Sequence, residues 1–316
     1  MPVPAVPSTS AWPGRRVFIT GHTGFKGGWL SLWLHEAGAR VFGYALPPES
    51  EPSLFAAAGV GDVVEGTIAD VRQFSALTQA LHRSDADVVF HLAAQPLVRR
   101  GYADPLETFS TNVMGTAHVL EAARQCEAVR AVVVVTSDKC YENRERASGY
   151  RENDRLGGDD PYSSSKACAE LLAHAYRKAF TGPDERGLRI ATARAGNAIG
   201  GGDWAEDRLI PDAVRAFGDG KVLSIRQPES VRPWQHVLEP LRGYITLAER
   251  LLAGDPEAAG AFNFGPFQES MRSVREVVEA VAALWGDEVG NYRIDSRLNP
   301  HEKRFLSLEP LAKPLE

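Results

Sequence analysis

Ser137, Asp138 and Lys139 set a hydroxyl, a carboxyl and an amine side by side, immediately after Thr136 and the apolar run Val132-Val133-Val134-Val135. Consecutive β-branched residues of this kind read as a strand buried on both faces, as in a parallel sheet. Ligands of an open α/β sheet lie beyond the carboxyl ends of its strands, which aims the three polar groups into a crevice. In isolation the same triplet also reads as an ordinary polar start to a loop. A second set follows at Tyr162 and Lys166, four positions apart and therefore on one helix face. An ammonium beside a phenol favours the phenolate, so the spacing predicts a Tyr162 pKa lowered towards the range of a useful base. A hydroxyl donor, a carboxyl acid and a phenol with its ammonium are the parts of a proton-transferring site.

The segments that must position these groups alternate in type. Val17-Phe18-Ile19-Thr20 predicts a short strand, and Gly21-His22-Thr23-Gly24-Phe25-Lys26-Gly27-Gly28 leads from it into a helical pattern over 29–37. Strand, glycine loop and helix in that order make a dinucleotide site. Glycines permit the tight turn, and backbone N–H groups meet a pyrophosphate at the positive helix end. Gly21, Thr23, Gly24, Phe25, Lys26 and Gly27 are the expected cofactor contacts.

A second strand over 40–46 departs from the usual pattern, because NAD-binding units carry an acid about 20 residues past the glycines and this chain has Tyr44-Ala45-Leu46-Pro47. The same tip offers no arginine for a 2′-phosphate, which favours NAD over NADP. A third strand over 63–70 precedes a helical stretch over 71–83, with Asp70 placed either to hydrogen-bond an adenine amino group or to cap that helix. The fourth strand, 87–95, closes on small residues, and Ala93 there lets a cofactor approach the backbone. Long helices are predicted over 107–125 and 162–180, the second entered favourably through Asp159-Asp160-Pro161. From residue 188 onward, strands over 188–193, 222–226 and 261–264 alternate with helices over 207–217, 236–253 and 273–285. The glycine-rich loop Gly200-Gly201-Gly202-Asp203-Trp204 lies among them.

With 316 residues, 44% hydrophobic and 24% charged, the chain has the composition of a globular protein large enough for one big domain or a big one with a smaller companion. A formal charge of -6 gives no general attraction to nucleic acid, although clustered arginines can still hold a small anion. No stretch approaches the roughly 18 apolar residues of a membrane span. Residues 1–14 read as a loose leader without signal-peptide character. The three cysteines, Cys126, Cys140 and Cys168, form no metal or redox pair and fit a reducing cytoplasm, with Cys140 a packing residue. No metal is called for.

These elements together resemble the extended short-chain dehydrogenase/reductase family and, within it, the nucleotide-sugar 4,6-dehydratases, the CDP-glucose branch most of all. The glycine loop through Trp29 carries the likeness, with Thr136-Ser137-Asp138-Lys139-Cys140-Tyr141 and Asp160-Pro161-Tyr162-Ser163-Ser164-Ser165-Lys166. So do Ala193-Arg194-Ala195-Gly196-Asn197-Ala198-Ile199-Gly200-Gly201-Gly202-Asp203-Trp204 and Arg232-Pro233-Trp234-Gln235-His236-Val237. Most relatives have Thr-Asp-Glu where this chain has Ser137-Asp138-Lys139; lysine in the third place marks the CDP-glucose branch.

The resemblance implies an α/β fold, a Rossmann-type doubly wound parallel sheet over 15–188, with a smaller interleaved substrate-binding domain mainly over 189–316. Relatives usually continue further, so the resemblance also implies a cap cut short at Glu316. It implies NAD as cofactor, a CDP-sugar as substrate, no nucleic-acid or membrane partner, and a homodimer or homotetramer built through the two long helices. In the implied reaction Tyr162, supported by Lys166, removes the C4 hydroxyl proton as C4 is oxidised, and Ser137 hydrogen-bonds the same oxygen. Lys139, or a water that it positions, then takes the C5 proton, Asp138 protonates the leaving C6 hydroxyl, and hydride returns to C6. Asn197, Arg208 and Arg232 are implied near the diphosphate, with Arg194 and His301 also on the substrate side. An epimerase or reductase of the same family would need no proton delivered to C6, and a non-catalytic NAD-binding protein would need none of these side chains.

Overall fold

A computed structural model describes residues 11–145, 148–181, 187–266, 270–286, 290–295 and 307–308. The first half alternates strand and helix: β1 (Arg16–Thr20), α1 (Phe25–Glu36), β2 (Arg40–Ala45), the short α2 (Leu54–Ala57) and α3 (Val60–Val63), β3 (Val64–Ile68), α4 (Phe74–Ser84) and β4 (Val88–His91). Short helices α5 (Val98–Ala103) and α6 (Pro105–Phe109) follow. A π-helical segment, Ser110–Met114, then leads into α7 (Gly115–Gln125), β5 (Ala131–Val135), a 3₁₀ turn at Asp138–Cys140, and α8 (Pro161–Phe180). After β6 (Arg189–Ala195) come β7 (Ala198–Ile199), α9 (Leu209–Gly218), β8 (Leu223–Ile225), β9 (Val231–Arg232), β10 (Gln235–His236) and α10 (Leu238–Leu252). The last are β11 (Ala261–Phe264), β12 (Arg272–Ser273), α11 (Val274–Trp285) and β13 (Tyr292–Ile294).

The main sheet has seven parallel strands in the order β11-β6-β5-β4-β1-β2-β3. β5 lies inside the sheet between β4 and β6, and every one of its residues is buried. Alternation sends Val133 and Val135 into one core with Leu30, Leu34, Leu241 and Tyr244, and Val132 and Val134 into the other with Leu77, Val119 and Leu120. Burying each such valine is worth about 1.5–3 kcal/mol, and a one-residue slip would exchange the two faces. The register Val134↔Thr192 and Val135↔Ala193 is thereby fixed, and with it the point where the chain leaves the sheet.

The later chain returns to this sheet. α10 lies in the same core as α1, and β11 forms the outer strand beside β6. The segments between and after them, α9, β8, α11 and β13, gather around a small core of Ala213, Phe217, Leu223, Ile225 and Val278. α11 starts from a full capping box at Ser273 and Glu276. Among the described residues no helix is long and apolar enough to cross a membrane.

Three expectations are corrected here. The helix expected over 71–83 starts at Phe74, because Asp70 folds back to accept from the Arg72 N–H at 2.8 Å and closes a turn ahead of it. Within 107–125 the helix is interrupted by the π-helical segment. There the buried Asn112 side chain accepts from the Gln95 N–H at 2.8 Å and donates to the Gln95 carbonyl at 3.0 Å, anchoring the wider turn to the loop after β4. The leader is not loose at its end: Trp12 is 1% exposed, packs near Phe90 and donates Nε1–H to Glu249 on α10 at 2.6 Å. Residues 1–10 lie outside the described residues.

Removing the Trp12 ring leaves a large cavity against α10, so Trp12→Ala is expected to lower unfolding free energy by about 3–5 kcal/mol. Chemical denaturation of the two proteins checks this, and an unchanged midpoint would mean that the segment is not anchored.

Candidate active site

The glycine loop is packed too closely for side chains. A Cβ on Gly27 would lie 2.0 Å from the Gly21 carbonyl oxygen, and one on Gly21, itself at φ 82°, would lie 2.8 Å from the Ala93 nitrogen. Gly24 is the N-cap of α1, so no side chain caps that helix, and its first turn holds no acid. The unsatisfied N–H groups and positive helix end are left for an anion, which fits the pyrophosphate of a dinucleotide. Thr23 donates its hydroxyl to the Leu46 carbonyl at 2.8 Å and ties the loop to the end of β2. Phe25 reaches across to Gly200 in the later glycine-rich loop. Asp70 lies at the end of β3 but does not cap α4. Both its oxygens accept from Arg72, which holds the carboxyl below its usual range, so an adenine contact would compete with that ion pair.

At the carboxyl end of β5, Ser137 is extended and caps the 3₁₀ turn. Its Oγ accepts from the Lys139 N–H at 3.2 Å and donates to Asp138 Oδ1 at 2.9 Å. Asp138 is 2% exposed, and its Oδ2 has no hydrogen-bond partner. Burial pushes its pKa up against the opposing pull of Lys139, Ser137, Arg232 and Lys26. The Lys139 ammonium lies 6.0 Å from the Tyr162 ring centre. Tyr162 stands in the first turn of α8, where Pro161 takes the first position and Asp160 accepts from the Ser163 N–H at 2.9 Å.

The expected lowering of the Tyr162 pKa is reversed in the protein alone. Burial pushes the phenol up to about 12, with Ser137, within hydrogen-bonding reach, opposing it. Lys166 does not reach the phenol; its ammonium donates to the Val135 carbonyl at 3.2 Å, and burial, then Lys26, bring its own pKa down to about 8. Loss of water around a phenolate therefore outweighs the distant positive charge.

Lys26 joins the two halves of the site. Burial and then Arg208 lower it to about 8, while Asp138 and Asp203 act in the opposite direction. Arg208 stands at the start of α9 and donates to Asp203 at 2.8 Å, and its charge also acts on Tyr162. Arg232, on β9, acts on Asp138. Asn197 sits between β6 and β7, with its carbonyl bonded by the Gln235 N–H at 3.1 Å. Lys26, Arg208 and Arg232 are thus brought around Asp138 and Tyr162, a cationic setting suited to diphosphates.

Arg194 is the correction among the substrate contacts. Its guanidinium turns into the core and pairs with Glu170 at 2.7 Å, with side-chain exposures of 4% and 1%. His301 lies outside the described residues. Two residues of this region have no place in the sequence reading. Glu170 follows Lys166 by one helical turn, a spacing that would have marked it. Tyr244 on α10 is a buried phenol without a hydrogen-bond partner whose pKa is raised by burial and then by the charges of Tyr162 and Asp138.

Residues 17–265 match the model of the NAD dependent epimerase/dehydratase family. The chain is 52% identical over 301 residues to a CDP-glucose 4,6-dehydratase of Salmonella typhimurium, covering 94% of this chain and 84% of that one. It is 32% identical over 239 residues to a dTDP-glucose 4,6-dehydratase of Streptomyces griseus, covering 72% and 69%. Among solved structures, MoeE5 in complex with UDP-glucose and NAD superposes with a TM-score of 0.78 at 25% identity, covering 94% of this chain and 90% of that one. The chain belongs to the NAD dependent epimerase/dehydratase family.

Proposed function

We propose that this protein is a CDP-glucose 4,6-dehydratase, a hydro-lyase that uses NAD and converts CDP-glucose into CDP-4-keto-6-deoxyglucose. The observation that carries the reading is Asp138, a buried carboxyl with a raised pKa and a free Oδ2, beside the Tyr162 and Ser137 hydroxyls. Oxidation at C4 needs the two hydroxyls; only elimination needs a neutral acid next to them. The choice of the CDP sugar is supported by the 52% identity to the Salmonella typhimurium enzyme.

In this reading Gly21, Thr23, Gly24, Phe25, Lys26 and Gly27, with Ala93 behind them, hold the dinucleotide at the end of α1. When bound, NAD supplies the hydride acceptor for C4 and the donor for C6. Tyr162 Oη takes the proton of the C4 hydroxyl, with Ser137 Oγ bonded to the same oxygen and Lys166 and Arg208 supplying positive charge. The C4 ketone acidifies the C5 proton, which passes to Lys139 or to a water that it positions and is given back to C5 when C6 is reduced. Asp138 Oδ2, protonated, gives its proton to the leaving C6 hydroxyl. Arg208, Arg232 and Asn197 face the diphosphate, and a phosphate there would compete with Asp203 for Arg208.

Two further parts of the proposal concern the setting. α6, the π-helical segment ahead of α7, and α8 expose the apolar side chains of Leu106, Met114 and Leu171, which supports a homodimer or homotetramer paired through this face. The free thiols of Cys126, Cys140 and Cys168 support a cytoplasmic location.

Incubation with CDP-glucose, and separately with UDP-, dTDP- and GDP-sugars, should give the alkali-induced absorbance of a 4-keto-6-deoxy sugar chiefly from the CDP substrate. No product from any of them would remove the dehydratase reading. Asp138→Asn is expected to slow elimination by about 10²–10⁴-fold while NAD affinity is kept. Because Asp138 acts in its protonated form, elimination in the wild type should fall as pH rises through its raised pKa, and that limb should vanish in the variant. Light scattering should show an oligomer, and Leu106→Glu with Leu171→Glu should yield monomer; a wild type that is monomeric at micromolar concentration refutes the assembly.

A further inference from the structure

Glu170 is a carboxylate placed where the neighbouring buried positions of α8, Ala167, Ala169 and Ala173, are apolar. It stands four residues past Lys166 and eight past Tyr162, on the same helix face. Its oxygens accept from Thr136 Oγ1 at 2.5 Å, Thr192 Oγ1 at 2.8 Å and Arg194 Nη2 at 2.7 Å. Arg194 passes the connection on, donating Nη1–H to the Tyr141 hydroxyl at 2.7 Å and to the Glu152 carbonyl at 3.0 Å. The Tyr141 hydroxyl donates in turn to Asn263 Oδ1 at 2.7 Å, and its ring stacks on Tyr150 at 5.2 Å.

Thr136 is the residue before Ser137, and Tyr141 is the residue after the 3₁₀ turn. Both ends of Ser137-Asp138-Lys139-Cys140 are therefore tied to one carboxylate, which shares a helix with Tyr162. A buried ion pair adds little to stability compared with well-packed apolar side chains, because desolvation offsets the attraction. In this one Arg194 Nε is left buried without a partner. Such a network is better suited to holding a geometry than to stabilising a fold.

We infer that Glu170 and Arg194 are positioning residues that set the elimination acid Asp138 and its neighbour Lys139 against the oxidising Tyr162. Neither touches the reacting atoms. Glu170 fixes the turn to the helix at its upstream end through Thr136, and Arg194 fixes it at its downstream end through Tyr141. This assignment rests on the dehydratase reading and adds to it which residues keep its two half-reactions in register.

Glu170→Gln would leave a buried guanidinium unpaired and risks misfolding, so the decisive variant is Tyr141→Phe. It keeps the ring stack and leaves Arg194 paired with Glu170 and the Glu152 carbonyl. In a single turnover of the NAD-loaded enzyme with CDP-glucose, absorbance of reduced nicotinamide follows C4 oxidation, and alkali-treated samples follow elimination. The expected result is elimination slowed roughly 10- to 100-fold, the scale of a small misplacement, with oxidation, KM, NAD affinity by fluorescence titration and Tm little changed. Equal slowing of both half-reactions, no slowing, or a loss that tracks a fall in Tm overturns the inference. A wild type that forms no 4-keto-6-deoxy sugar in the parallel run overturns the dehydratase reading itself.

Discussion

Withdrawal of water at the carboxyl end of β5 is the constraint on which the site depends. The same burial acts on groups of both signs, raising Asp138 and Tyr162 and lowering Lys26 and Lys166. Each shift favours the uncharged form, and the arrangement of partners decides which shift is useful. For Asp138 it favours the protonated carboxyl, the form that the proposed elimination uses. For Tyr162 it works against ionisation, so the surrounding cations have to overcome it once substrate and dinucleotide fill the crevice. Dry surroundings also strengthen every remaining interaction between charges.

The cradle and the catalytic turn are joined by Lys26 rather than built as separate modules. It sits in the first turn of α1, just after the glycine loop, yet its electrostatic partners are Arg208, Asp138 and Asp203. A phosphate arriving at α1 and a substrate arriving at Arg208 would each change the field felt by the acid. Cofactor binding and proton delivery thereby share charges, and neither half of the site has its final electrostatics without the other.

Much of the fold was legible because its signals are local. The five residues of β5 carry their burial in their composition, and Tyr162 and Lys166 carry their shared face in their spacing. The direction of the Tyr162 shift was not legible, since desolvation belongs to the folded surroundings and no spacing encodes it. Arg194 misled for a related reason. In the sequence it leads towards Asn197 and a glycine loop, where phosphate contacts are natural, and only the approach of α8 brings Glu170 across to claim it. The π-helical segment was likewise hidden, because Asn112 fits a helix pattern and its attachment to Gln95 is made in three dimensions. Trp12 looked like part of a loose leader until α10, far along the chain, supplied Glu249.

The return of β11 to the edge of the sheet has a consequence for biosynthesis. β11 pairs with β6, and its Asn263 holds Tyr141 by accepting from the hydroxyl at Oδ1 and donates its own backbone N–H to Glu152 Oε1. The Asn263 bonds to Tyr141 and Glu152 join positions more than a hundred residues apart, so they close late and at the cost of a long loop. A ribosome that has released the glycine loop, the turn after β5 and α8 has made every side chain of the proposed proton transfers, but the turn that carries Asp138 stays without its outer brace until Asn263 emerges. The nascent chain is thus complete in its chemistry before it is complete in its geometry.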